Sequence, residues 1–255
     1  KENKFMKYIY NIDKLKNHNE NTVFEEKIGK KAQNLLELAA AGFNVPHFSV
    51  ITNRYFKEVI LKEIEMYNQE AGNNDEIKDW NAVFSGNTER KIENIIRIIK
   101  NHKIKEEFEK EIENALNEES YYAVRSSSIE EDSSNFSFAG QFETYLYVKK
   151  ENMLEKIKEV WISSFSNHVM KYRKEGKINN EINVPAVIIQ EMVNSEKAGV
   201  GFSVNPVNNN YDEVVISGTY GLGTSIVDGD ENGDLFIYNK KTKEIKKEIR
   251  TKKIR

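Results

Sequence analysis

Apolar residues recur at helical spacing through most of the first half of the chain and at strand spacing through much of the second. Ala32, Leu35, Leu36 and Ala39 follow the i, i+3, i+4, i+7 rhythm of one helix face, which predicts a helix over Lys31–Ala41. Gly42 sits where a helix C-cap belongs. A short apolar stretch, Phe48–Ile51, follows Pro46, and Thr52 reads as the N-cap of a second helix carrying Phe56, Val59, Ile60 and Ile64. Ala71–Asn87, with its Asn, Gly and Asp residues, reads as a loop holding at most a short helix. Two further helices are marked by Ile92, Ile95, Ile96 and Ile99, and by Ile104, Phe108, Ile112 and Leu116.

The pattern changes near Glu119. Tyr121–Arg125 and Thr144–Val148 read as strands. Asn152–Arg173 is predicted as one long amphipathic helix burying Ile157, Val160, Trp161 and Phe165. Strands follow at Ala186–Val193, Ala198–Val204, Glu213–Ser217 and Asp234–Asn239, with a further candidate at Glu244–Arg250, and Asn194–Lys197 reads as a hairpin connection. Helices combined with mainly antiparallel strands argue for an α+β fold. The expected organisation is a helical lobe over residues 1–118 and a strand-rich lobe over 119–255.

Composition narrows the function classes. Of 255 residues, 38% are hydrophobic and 31% charged, enough apolar material for a real core under a Lys- and Glu-rich surface. A net charge of -3 exerts no global pull toward nucleic acid or anionic membrane, so neither is an expected partner. The absence of cysteine excludes disulfides, thiolate metal sites and cysteine nucleophiles. No apolar run is long enough to span a bilayer, which makes the cytoplasm the expected compartment. The chain starts without Met and ends on Lys252-Lys253-Ile254-Arg255, as a piece of a longer protein would. Its four histidines show no ligand spacing.

Four segments hold residues suited to phosphate chemistry. Arg125-Ser126-Ser127-Ser128 places a guanidinium at a strand end beside small hydroxyl donors, which suits phosphate oxygens and equally suits a capped turn. Ser137–Thr144 contains Ala139 and Gly140, small enough for backbone amides to approach a ligand, or simply a glycine turn before a strand. Gly29-Lys30-Lys31-Ala32 puts lysines at a helix start, where unpaired amides favour an anion; solvated lysines are the plainer reading. In the apolar strand Ala186–Val193, Gln190 and Glu191 are a polar break that a nucleobase edge or a neighbouring strand must satisfy. Gly218–Gly223 is glycine-rich without the dinucleotide fingerprint and reads as a structural bend.

Taken in order, these segments resemble the nucleotide-binding domain of the phosphoenolpyruvate synthase, pyruvate phosphate dikinase and rifampicin phosphotransferase family. The resemblance rests on Gly29–Leu35, Ala41-Gly42-Phe43-Asn44-Val45-Pro46 with Thr52, and Ala123–Ser127 through Glu131-Asp132 to Phe138–Leu146. Val187–Val193, Gly199–Val207 and Tyr220–Gly223 complete it. It covers roughly Lys27 to the C-terminus and implies an ATP-grasp-like domain of two lobes that binds ATP with Mg²⁺ in the cleft between them.

Carried over residue by residue, the resemblance assigns Lys31 and Arg125 to the ATP phosphates as the candidate catalytic pair. Gly140 and Thr144 belong to a loop closing over the phosphates, and Gln190, Glu191 and Val193 lie beside the adenine. It implies transfer of a phosphoryl group to a histidine on a separate domain, and from there to pyruvate. The alternatives are a drug hydroxyl as acceptor or a non-catalytic nucleotide-binding or interaction module. The segments that hold the metal and carry the histidine are expected beyond Arg255. The chain departs from the family pattern at Lys30 and Ala32, where glycines are usual, and at Ile129 and Thr224.

Overall fold

The computed structural model describes residues 8–13, 21–70, 77, 79–128, 143–175, 182, 184–227 and 233–249, with the backbone alone at 21–27 and 225. Contacts divide the chain into two compact units, Lys1–Met192 and Val193–Arg255. The division does not fall at 118/119, because strands on both sides of that point join one sheet.

That sheet is five-stranded, with spatial order β1-β2-β5-β3-β4 and antiparallel pairing throughout. Its strands are β1 (Ile9–Asn11), β2 (Phe48–Ile51), β3 (Tyr122–Ser127), β4 (Thr144–Val148) and β5 (Ala186–Glu191). β2 is buried at all four positions, and β5 is apolar from Ala186 to Ile189, because both strands are covered on both faces. Alternation sends Ile51, Val187, Ile189, Val124 and Tyr122 to one face and Phe48, Val50, Ala186 and Ile188 to the other.

The first face carries a helical layer: α2 (Leu61–Glu70), α3 (Trp80–Phe84), α4 (Thr88–Asn101), α5 (Glu106–Ala115), α6 (Met153–Ser163) and α7 (Asn167–Glu175). Trp161 is fully buried there, stacked on Tyr55 at 5.9 Å and edge-on to Phe56 at 6.0 Å. The second face is covered by α1 (Asn21–Ala40), through Ile28 and Ala32 with Leu35, Leu36 and Ala39. α1 ends as expected: Gly42 has φ 86°, and the Phe43 N–H donates to the Leu38 carbonyl.

Three local expectations are corrected. Thr52 does not cap a helix; its backbone N–H and hydroxyl both donate to the Tyr8 carbonyl beside β1. The next segment, Phe56–Ile60, is π-helical, and its wider turn keeps Tyr55, Phe56, Ile60 and Ile64 all in the core. The helix expected over Asn152–Arg173 is broken between α6 and α7. There Ser164, Phe165 and Ser166 close tight turns onto Trp161, Ile162 and Ser163. Asp79 caps α3 by accepting from the Ala82 N–H at 2.8 Å.

The second unit is a four-stranded antiparallel meander of β6 (Lys197–Phe202), β7 (Glu213–Tyr220), β8 (Asp234–Asn239) and β9 (Ile245–Glu248), with the short α8 (Thr224–Val227). β5 and β6 belong to different sheets, so Asn194–Lys197 is not a hairpin turn. Among its described residues, Val215 is the one buried apolar side chain. The loop from β6 to β7 is tied down by Glu213, which accepts from Asn205 at 2.6 Å and Asn208 at 3.3 Å. Those two hydrogen bonds hold its carboxyl below the ordinary range.

Candidate functional site

β3 is the spine of the candidate site. Its residues Ala123, Arg125 and Ser127 point to the face that carries α1, since they pair with Gln190, Ile188 and Ala186 of β5. On the other side of β3, Arg125 pairs with Thr144 of β4. The strand ladder therefore sets Gln190, Arg125 and Thr144 on one surface, with Ser127 at its far end. Successive same-face positions on β3 are about 7 Å apart.

At the Ser127 end the strip meets the helix. Gly29 interrupts α1 with φ 76° and ψ 166°, so regular helix resumes only at Lys30. A Cβ on Gly29 would lie 2.1 Å from the Ser127 carbonyl oxygen, and the left-handed backbone adds its own cost to any side chain. The Lys30 N–H donates to the Ser128 carbonyl at 3.2 Å and the Ala32 N–H to the Ser127 hydroxyl at 3.1 Å. These amides, expected from the sequence to be open to an anion, are taken by β3 instead. The helix start is thereby clamped to the strand end.

The two family glycines replaced here are accommodated. Ala32 is fully buried against Val50 and Ile188 in the second core, and the Lys30 ammonium reaches Gln33 Oε1 at 3.3 Å. Lys31 follows directly, at the junction of helix and strand. The glycine that had to stay is Gly29.

Arg125 is half-buried, and its Nε is shielded from solvent without a hydrogen-bond partner among the described residues. A guanidinium N–H left so is an expensive orphan unless a ligand meets it. Thr144 is exposed and Gln190 half-exposed. Glu191 alternates to the opposite face, where it accepts from the Ser120 hydroxyl at 2.5 Å while its N–H donates to the His47 carbonyl. Val193 is exposed and opens the second unit. Gly140, with Ile129–Phe142, lies outside the described residues.

Residues 25–255 match the AMP/ATP-binding domain of pyruvate phosphate dikinase. The chain belongs to that family. It is 34% identical over 248 residues to a probable phosphoenolpyruvate synthase of Methanocaldococcus jannaschii, covering 94% of this chain and 20% of that protein. Against the phosphoenolpyruvate synthase of Pyrococcus furiosus it is 33% identical over 264 residues, covering 89% of this chain and 32% of the relative. A Bacillus subtilis protein named uncharacterized phosphotransferase YvkC is 49% identical over 135 residues, 52% of this chain and 16% of its own length. The chain thus spans no more than a third of the length of these relatives, and the AMP/ATP-binding domain accounts for nearly all of it. No described helix is long and apolar enough to cross a membrane.

Two features near the candidate site carry no signal in the sequence: the Ser127–Gly29 clamp, and the exposed tyrosines Tyr121 and Tyr147. Serine as a strand's last residue before a positive-φ glycine elsewhere in the chain carries no local signal. Tyr147 carries none either, since tyrosine ordinarily favours extended backbone.

Proposed function

We propose that the Gln190–Arg125–Thr144 strip holds ATP, with the base toward Gln190 and the phosphates toward Ser127, where Lys31 and Arg125 supply the positive charge. The orphaned Nε of Arg125 carries this reading, because a phosphate oxygen satisfies it with a charge-assisted bond. Phosphoryl transfer asks for positioning and neutralisation of charge on the equatorial oxygens, and a guanidinium fixed in a sheet does both without rearranging. Thr144, opposite Arg125, adds a hydroxyl donor on the same surface.

In the whole protein, the phosphoryl group would pass to a histidine on a separate domain and then to pyruvate. The Bacillus relative is named for phosphotransfer without an acceptor, which keeps a drug hydroxyl as the second reading. Mg²⁺ would enter with the nucleotide and supply charge neutralisation. Among the described residues no three His, Asp or Glu side chains are placed to hold a metal, and no step is assigned to it. A chain without cysteine fits a cytoplasmic enzyme.

The test is calorimetric titration of the chain with ATP and Mg²⁺ beside Arg125→Ala. Saturable binding weakened about ten- to a hundredfold by the substitution is the expected result, the size of a lost charge-assisted contact. Equal binding by both proteins would sink the assignment of Arg125.

A further inference from the structure

Opposite the Ser127 end, the strip finishes in a pair of exposed aromatic rings. Tyr121 and Tyr147 are 45% and 61% exposed, and their rings meet edge-on at 6.1 Å and 78°. The Lys149 ammonium sits 5.7 Å from the Tyr121 ring centroid. Large exposed aromatics that touch mainly each other leave one ring face available to a flat partner.

Their placement is set by a β-bulge. Between the register pairs Tyr122↔Val148 and Val124↔Tyr145, β3 advances two residues while β4 advances three. The extra residue puts Tyr147 at φ 57°, the left-handed region that glycine and asparagine tolerate and an aromatic residue resists. The Tyr147 N–H, displaced from the ladder, donates to the Met192 sulfur at 3.0 Å. The Met192 N–H in turn donates to the Tyr121 carbonyl at 2.8 Å. Both tyrosines are therefore tied to the residue that lies two past Gln190. Along β3, Tyr121 stands four residues from Arg125, about 13 Å, a base-to-phosphate reach for an extended nucleoside triphosphate.

A turn alone would be served better by asparagine at position 147. Tyrosine held there against its backbone preference, braced by a second ring and tied to Met192, has the makings of a base platform. We propose that Tyr147, braced by Tyr121, stacks on the nucleobase of the nucleotide and sets the preference for it. This rests on the nucleotide reading above.

The test separates the base from the phosphates. The chain and its Tyr147→Asn and Tyr147→Phe variants are titrated with ATP and with inorganic tripolyphosphate, both with Mg²⁺. Asparagine suits the left-handed backbone, so that variant keeps the fold. It should weaken ATP about five- to twentyfold and leave tripolyphosphate unchanged, and phenylalanine should keep both affinities. Undiminished ATP binding by Tyr147→Asn overturns the inference, as does an equal loss for tripolyphosphate. A parent chain that binds tripolyphosphate as tightly as ATP also overturns it, while leaving the phosphate site standing. A parent chain that binds neither removes the nucleotide reading, and the inference with it.

Discussion

One face of the five-stranded sheet is buried beneath the α2–α7 layer, while the other is covered over β2 and most of β5, partly exposed at Gln190 and Arg125 and exposed at Thr144. The covered face is aromatic-rich and consists of packing: Tyr55, Phe56, Phe108, Trp161 and Phe165 fill it. The strip on the other face holds a guanidinium nitrogen without a hydrogen-bond partner among the described residues, and an exposed threonine. One strand, β3, serves both faces, with Tyr122 and Val124 in the core and Arg125 on the strip. The contrast teaches that the proposed site lies on the back of a packed core, on a strand whose other residues that core holds.

Substitutions on the two faces should therefore fail in different ways. Trp161→Ala, on the covered face, should cost about 3–5 kcal/mol of stability in urea unfolding, since it empties a fully buried aromatic site. A loss under 1 kcal/mol would mean the helical layer does not brace the sheet. Gly29→Ala, at the clamp, should cost roughly 2–4 kcal/mol from its left-handed backbone and its collision with Ser127, and should weaken nucleotide as well. Intact binding in a destabilised Gly29→Ala protein would detach the clamp from the site. Arg125→Ala should do the reverse, losing ligand while changing stability by no more than about 1 kcal/mol.

The finest test uses neighbours on β4. Thr144 faces the strip, while Tyr145 turns to the helical layer, where burial, then Glu159, pushes its hydroxyl up to about 12. An unfolded tyrosine ionises near 10, so the folded state's advantage is whole below that pH and is lost as pH rises from 10 to 12. Tyr145→Phe should flatten that part of the stability profile and leave the rest unchanged. An identical slope in both proteins would place Tyr145 outside the core.

Much of this was legible in the residue pattern. β2, β4 and β8 fall where their apolar stretches stand, and α1 stops at Gly42 because that residue supplies the left-handed end. Of the candidate site residues, Arg125 and Lys31 stand out by type and Thr144 by the family resemblance, and the ladder seats Arg125 and Thr144 opposite each other. What stayed hidden depends on distant partners. β1 is three residues long and exists by pairing with β2 forty residues on. The break at Ser164–Ser166 is invisible to spacing, because Phe165 still reaches the core from within the turn. The apparent hairpin at Asn194–Lys197 joined neighbours in sequence that belong to separate sheets. The occupied amides at Lys30 and Ala32 required knowing that β3 ends beside α1.

The double-sided burial of β5 bears on how a lineage carrying this strand can change in length. Val187, Ile188 and Ile189 are apolar whichever way they face, so a slip of one residue would disturb either core little. The same slip would carry Gln190 under the helices and bring the acidic Glu191 to the strip, at the end proposed for the base. On the proposed reading, insertions and deletions within β5 are constrained by the ligand site rather than by the hydrophobic interior, and the polar pair at the strand's end keeps its reading frame.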